Sequence, residues 1–154
     1  MLRRGRAAGC VALLDADLPG VSLAEMQAAT VIAFSKEGLA ASVGFEGLEA
    51  GLRHVAGLTD ARLIVTDGEN GCYWLDGDAW CHQPAFPVVA LDGLAAGDVF
   101  HGALALALCE GQALPRAITF ASAAAAIKVS RFGGRSGAPV RAEVEAFLKD
   151  HANR

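Results

Sequence analysis

The sequence predicts an α/β protein with a largely parallel sheet, a β-hairpin and a set of C-terminal helices. Three observations carry that expectation. Over residues 9–66, short continuous apolar runs alternate with helical patterns, as strands buried on both faces do when helices connect them. A stretch of alternating residues around an Asp-Gly pair then reads as a hairpin. The remainder is alanine-rich and helical, so that strands and helices pack as layers around one sheet.

Residues 9–14 (GCVALL) read as the first buried strand, preceded by the end of a helix. Leu18, Pro19 and Gly20 break the chain, and Ser22 can cap a short helix running to Ala29. Residues 30–34 (TVIAF) are a second strand. Ser35 caps a helix that contains Glu37 and Leu39, and another helix spans 47–56. Residues 61–66 (ARLIVT) form a third strand that ends at Asp67 and Gly68. Segments 71–75 and 79–82 flank Asp76-Gly77, a pair that favours a type I′ turn. With a two-residue loop, Leu75 pairs with Asp78, Tyr73 with Trp80, and Cys72 with Cys81. A further strand, 88–91, leads into Asp92 and Gly93. Helices follow over 96–110, 114–129 and 142–151, the last two separated by the loop 132–139 (FGGRSGAP). No repeat and no low-complexity linker divides the chain, so residues 1–154 are expected to form part of one domain.

Composition narrows the functional classes. The chain carries a net charge of -4 with scattered basic residues, which argues against a nucleic-acid partner. Arg3, Arg4 and Arg6 precede an apolar run, but Asp15 and Asp17 follow too soon for a secretory h-region. The longest apolar stretches, 103–109 and 117–127, fall short of the ~20 residues that a membrane span needs. A soluble cytoplasmic protein without a membrane partner is expected. Cys10, Cys72, Cys81 and Cys109 show no metal-binding spacing and read as buried, reduced thiols, with Cys72 and Cys81 unbonded neighbours across the hairpin.

The strongest local signal is 92–98 (DGLAAGD), passing from a strand into a helix. Small residues at Ala95, Ala96 and Gly97 let backbone approach a ligand closely. The free N–H groups of a first helical turn, with the positive end of the helix dipole, attract an anion. Asp98 in that turn can accept a hydroxyl proton while the N–H groups stabilise a transferring phosphoryl group. By itself the stretch reads equally as a tight turn with a favourable helix-start carboxylate. His101, one turn later, reads as a helix-surface histidine and His82 as hairpin surface, while Tyr73, Trp74 and Trp80 read as hairpin packing.

Residues 89–108 (VALDGLAAGDVFHGALALAL) resemble the second signature of the ribokinase-like (PfkB) carbohydrate kinases, whose core reads D-T-x-G-A-G-D followed by F-x-G. Residues 65–71 (VTDGENG) resemble the family's V-T-x-G-x-x-G turn beside the nucleotide phosphates. Residues 121–128 (ASAAAAIK) and 132–139 resemble its adenine-side helix and the loop after it, and 14–17 (LDAD) and 34–37 (FSKE) stand where it has D-x-D and N-x-x-E elements.

The resemblance implies a three-layer ribokinase-like fold, of which this chain is the C-terminal, nucleotide-binding part of a single kinase domain. It implies an ATP-dependent sugar kinase acting on a primary hydroxyl, with Asp98 as base and Ala95, Ala96 and Gly97 as the anion hole. Thr66, Gly68 and Gly71 would line the phosphate and ribose side, and Ser122 and Ala125 the adenine. Glu37 would join a water-mediated Mg²⁺ network, and Asp92, Ser130, Gly133 and Ser136 would lie near a K⁺-type monovalent-cation site. ATP, Mg²⁺ and a small sugar are the expected ligands, and a homodimer the expected state of the full-length protein. The sugar-binding and lid part of the family is absent, so the isolated chain is expected to be inactive and to associate through the apolar edge of its first strand.

Three departures stand out: Gly93 for the family's threonine, Ala95 for its first glycine and Phe34 for its asparagine. Ala95 puts a methyl group where backbone should approach phosphate, and brings strain if the position needs a positive φ. Two other readings remain open. One is a non-catalytic nucleotide-binding remnant or interaction subunit of the same fold. The other is an unrelated α/β domain in which 92–98 is only a turn.

Overall fold

The apolar runs become the first three strands of a five-stranded sheet with order β1-β2-β3-β4-β5. β1 (Leu13–Ala16), β2 (Val31–Ser35) and β3 (Arg62–Thr66) run parallel. β4 (Cys72–Asp76) and β5 (Ala79–Gln83) continue the sheet as an antiparallel hairpin. The computed structural model describes residues 1–44 and 47–152 and divides into two compact units, Met1–Pro84 and Ala85–Arg154.

In the first unit, helices start where the sequence offers caps. Ser22 opens α2 (Leu23–Met26) with a reciprocal capping box to Glu25. Ser35 opens α3 (Lys36–Val43), its hydroxyl accepting the Gly38 N–H at 2.9 Å, and α3 ends on Gly44 at φ 74°. α4 (Leu48–Ala56) follows. Leu39, Leu52 and Val55 from these helices pack with Ile32, Phe34, Leu63 and Val65 from one face of the sheet. Each such side chain contributes roughly 1.5–3 kcal/mol on full burial. The other face of the central strands, Val31, Ala33 and Ile64, is fully buried as well, which is why these strands read as unbroken apolar runs.

The first strand starts later than residues 9–14 suggest. The N-terminal helix α1 (Leu2–Ala7) ends in a Schellman arrangement: Gly9 N–H donates to Arg6 O and Cys10 N–H to Gly5 O, with Gly9 at φ 72°. Half of that apolar run is therefore a helix stop, and β1 begins only at Leu13.

The hairpin register is also corrected. Asp76 pairs with Ala79, Leu75 with Trp80, Tyr73 with His82, and Cys72 with Gln83 rather than with Cys81. The two loop residues are Gly77 and Asp78. Gly77, at φ 57°, takes the first loop position, whereas a type I′ turn on Asp76-Gly77 would require a positive φ at Asp76 too. Tyr73 stacks on Trp80 and His82, with ring centroids 5.2 Å and 4.2 Å away. All four cysteines are free thiols, but only Cys72 is buried; Cys10 and Cys109 are exposed.

In the second unit, residues 88–91 form no strand. Val89 and Leu91 are exposed, and the N–H groups of Leu91 and Asp92 instead donate to Val129 O. The helices α5 (Ala96–Cys109), α6 (Leu114–Val129) and α7 (Arg141–Ala152) match the pattern read from the sequence. α5 buries Phe100, Leu104, Ala107 and Leu108 along one stripe. The alanines of α6 at 121, 123, 124 and 126 are buried, leaving Ser122 and Ala125 on a half-exposed stripe. A 3₁₀ turn over Gly134–Gly137 lies inside the expected loop. Among the described residues no helix is long and apolar enough to cross a membrane.

Candidate active site

The residues singled out in the first unit gather at the carboxyl ends of the parallel strands, where open α/β sheets bind ligands. Ser35 and Thr66 are register partners, and the Ser35 hydroxyl donates to Asp17 Oδ1 at 2.6 Å. Lys36 forms an ion pair of 3.1 Å with Asp67. The turn after β3 closes on itself: Asp67 N–H donates to Gly71 O, Gly71 N–H to Gly68 O, and the Asn70 amide to Asp67 Oδ2. Gly68 (φ 52°) and Gly71 (φ 91°) hold conformations that favour glycine. Thr66, Gly68 and Gly71 thus share one rigid turn. Glu37 stands exposed in the first turn of α3, and Thr66 Oγ1 reaches Phe34 O at 3.3 Å.

In the second unit, Asp92 organises the approach to α5. Its Oδ1 accepts the Leu94 N–H at 2.9 Å, and Oδ2 accepts the N–H groups of Gly133 and Gly134, both at 3.1 Å. These bonds, led by that from Leu94 and aided by Lys128, hold the Asp92 carboxyl well below its ordinary range, at about 2. The loop after α6 is thereby tied to the turn before α5. Ser136 joins this group through its hydroxyl, which donates to Gly133 O at 2.7 Å. Ser130 does not, because its hydroxyl donates to Ile127 O at 2.7 Å.

The chain enters α5 through Ala95 at φ 63° and ψ 16°, the only non-glycine with positive φ among the described residues. A left-handed alanine costs roughly 1–2 kcal/mol. Ala96 N–H turns back to Gly93 O, while the N–H groups of Gly97 and Asp98 have no acceptor among the described residues. Asp98 occupies the third position of the helix and is exposed, as is Gly97. A Cβ added at Gly97 would meet nothing within 4 Å, and the same holds at Gly102. The fold's own packing therefore does not require glycine at either place. His101 lies edge-on to Phe100, its ring centroid 5.8 Å away. The result is a left-handed entry, two unengaged N–H groups and a carboxylate in one turn, a geometry that can receive an anion and a proton.

A model of the pfkB family of carbohydrate kinases matches residues 2–141. The chain belongs to that family. Ribokinase of Bacillus subtilis is 41% identical over 91 residues, covering 59% of this chain and 31% of that enzyme. A solved structure from Agrobacterium tumefaciens, provisionally assigned as a ribokinase, superposes with a TM-score of 0.90 at 37% identity over 99% of this chain and 52% of that one. The fructokinase of Vibrio cholerae, solved with fructose, ADP and calcium ion, gives a TM-score of 0.74 at 26% identity, over 82% of this chain and 44% of that one. The chain thus spans about a third of the length of that Bacillus relative and about half that of the Agrobacterium structure. The pfkB fold accounts for the five-stranded α/β sheet and the helices after the hairpin.

One residue escaped the reading from sequence. Lys128, on α6, is fully buried, and its ammonium donates to Asp92 O at 2.7 Å and lies 3.4 Å from Asp92 Oδ2. The signal was present as the sole charged side chain in 121–128, an otherwise alanine-rich buried run. A charge there needs a partner to be tolerated.

Proposed function

We propose that this pfkB-family chain is the phosphoryl-transfer part of an ATP-dependent sugar kinase, with Asp98 as the base. The Asp98 carboxylate takes the proton of a primary hydroxyl as its oxygen bonds to the γ-phosphorus. The bond from γ-phosphorus to the β,γ-bridging oxygen breaks, and ADP leaves. In the anion hole of Ala95, Ala96 and Gly97, the N–H groups of Gly97 and Asp98 offset the charge on the transferring group, with that of Ala96 joining only on leaving Gly93 O. The observation that carries this reading is the opening of α5, where Asp98 shares one exposed turn with N–H groups that the fold leaves unengaged.

MgATP is the phosphoryl donor in this proposal. Thr66, Gly68 and Gly71 line its phosphate and ribose side, and Ser122 and Ala125, on the half-exposed stripe of α6, face adenine. Mg²⁺ is commonly held by one or two carboxylates, substrate phosphates and waters rather than by a protein cage. Glu37 is an exposed carboxylate that fits a water-mediated contact, and among the described residues no cluster of three or more metal-binding side chains offers a cage. A small sugar as acceptor is supported by the Bacillus ribokinase and by the fructose held in the Vibrio fructokinase. Residues 1–154 taken as the C-terminal part of a single kinase domain, cytoplasmic and dimeric at full length, complete the proposal. No residue of the chain is assigned to the sugar, so the chain by itself is expected to show no measurable turnover, since positioning dominates phosphoryl transfer.

The second reading, a nucleotide-binding remnant or interaction subunit, is favoured by one observation: the Ala95 methyl sits at the proposed anion hole in a strained conformation. Asp98→Asn separates the two in a full-length kinase carrying this chain. The amide keeps the size of the carboxylate but cannot take the proton. Turnover should fall by at least about a hundredfold while ATP affinity stays within about twofold. Binding of ATP analogues without any turnover in the parent protein would select the second reading. A variant that keeps most of its rate would remove Asp98 from the chemistry.

A further inference from the structure

Asp92, Gly133 and Ser136 stand where the family resemblance implies a monovalent cation, yet in this chain these groups are already engaged. Both oxygens of the Asp92 carboxylate accept backbone N–H groups. The Ser136 hydroxyl gives its proton to Gly133 O, and the Ser130 hydroxyl gives its own to Ile127 O. Each of these side chains thus has a hydrogen-bond partner within the chain. A cation of a different kind is already there. Lys128 reaches from α6 with its side chain fully buried, and its ammonium contacts Asp92 through the main-chain oxygen at 2.7 Å and the carboxylate at 3.4 Å.

We propose that the Lys128 ammonium is a built-in substitute for the monovalent cation, so that this chain neither binds nor needs K⁺ at the Asp92 turn. The functional meaning rests on the kinase reading, but the geometry does not. An ammonium carries one positive charge and can satisfy several oxygens, as a monovalent metal ion does, and its covalent tether removes the concentration dependence of binding. A buried ammonium is tolerated only when paired, and Asp92 is its partner. Lys128 acts here as a positioning residue. It neutralises Asp92, whose N–H bonds tie the loop at Gly133 and Gly134 to the turn that enters α5. The pairing joins α6, that turn and that loop within one unit.

The test uses the chain itself and needs neither nucleotide nor sugar, so failure of the kinase reading leaves it intact. Thermal unfolding is followed in KCl and in choline chloride at equal ionic strength. The wild-type chain should melt at the same temperature, within about 1 °C, in both salts. Lys128→Met leaves the partly exposed Asp92 carboxylate facing an apolar stem without its cation, and its Tm should drop by about 5 °C in choline chloride, less than the loss of a pair buried on both sides would give. KCl should recover a saturable part of that loss. Saturable K⁺ stabilisation of the wild type would overturn the proposal, and so would a folded Lys128→Met that is equally indifferent to both salts. Should the variant not fold in either salt, the ammonium ¹H–¹⁵N signal of wild-type Lys128 decides. A slowly exchanging signal unchanged by K⁺ supports the substitution, and its loss on K⁺ addition overturns it.

Discussion

Asp92 shows how one side chain can set a local structure. Its carboxylate receives three backbone N–H groups and the Lys128 ammonium, and its folded-state pKa is about 2. The value in an unfolded chain is ~3.9. Because the folded value is the lower one, the ionised carboxylate stabilises the fold fully above the unfolded value. That contribution is lost as pH falls toward and through about 2. Urea unfolding of wild type and Asp92→Asn from pH 6 to pH 3 should therefore show a stability difference that is largest at the top of the range and shrinks toward the bottom. A difference constant across the range would mean that the charge of Asp92 is not what the loop uses. The sequence showed Asp92 and the glycines it binds, because they sit in short motifs. Lys128 was hidden because a lone lysine on a helix normally faces water, and only packing reveals that this one is fully buried. At Ala95 the reading was conditional: strain followed if φ were positive, and φ is 63°.

At the level of elements, the serine caps and the apolar stripes were legible, since each is a local signal. Gly38 is an element-level contact that the sequence does not announce. It lies in the first turn of α3 against the end of β1, and a Cβ there would stand 2.8 Å from Asp17 Cα and still closer to Ala16 O. Neither neighbour is a flexible side chain. Gly38→Ala should therefore destabilise the first unit by about 1–3 kcal/mol through overpacking, despite the better helix propensity of alanine. Chemical denaturation checks this, and an unchanged or raised midpoint would contradict the close packing of α3 on β1. The hairpin failed for a different reason. The expected and observed registers differ by two residues, and such a slip returns every side chain to the same face. Alternation could not tell them apart, and only the conformation of Gly77 did. Residues 88–91 failed because a strand needs a partner, and their β-like composition does not say whether one exists.

For the whole molecule, the family was legible because ordered motifs run along nearly the full chain, and the match over residues 2–141 agrees with them. The sheet, its hairpin and the later helices follow from that membership together with the local patterns. Which sugar serves as acceptor was not legible, since no residue of the chain is assigned to recognising one. What can be tested on the chain itself is where nucleotide goes. The most direct measurement is a ¹H–¹⁵N titration of residues 1–154 with MgATP, run beside AMP as a ligand lacking the β- and γ-phosphates. The account predicts that MgATP shifts the amides of Ala96, Gly97 and Asp98 with those of Gly68 and Gly71, and that AMP leaves the first three in place. Saturable binding of MgATP that leaves Ala96, Gly97 and Asp98 unmoved, or no shift at millimolar nucleotide, would contradict the claim that the opening of α5 receives the transferring phosphoryl group.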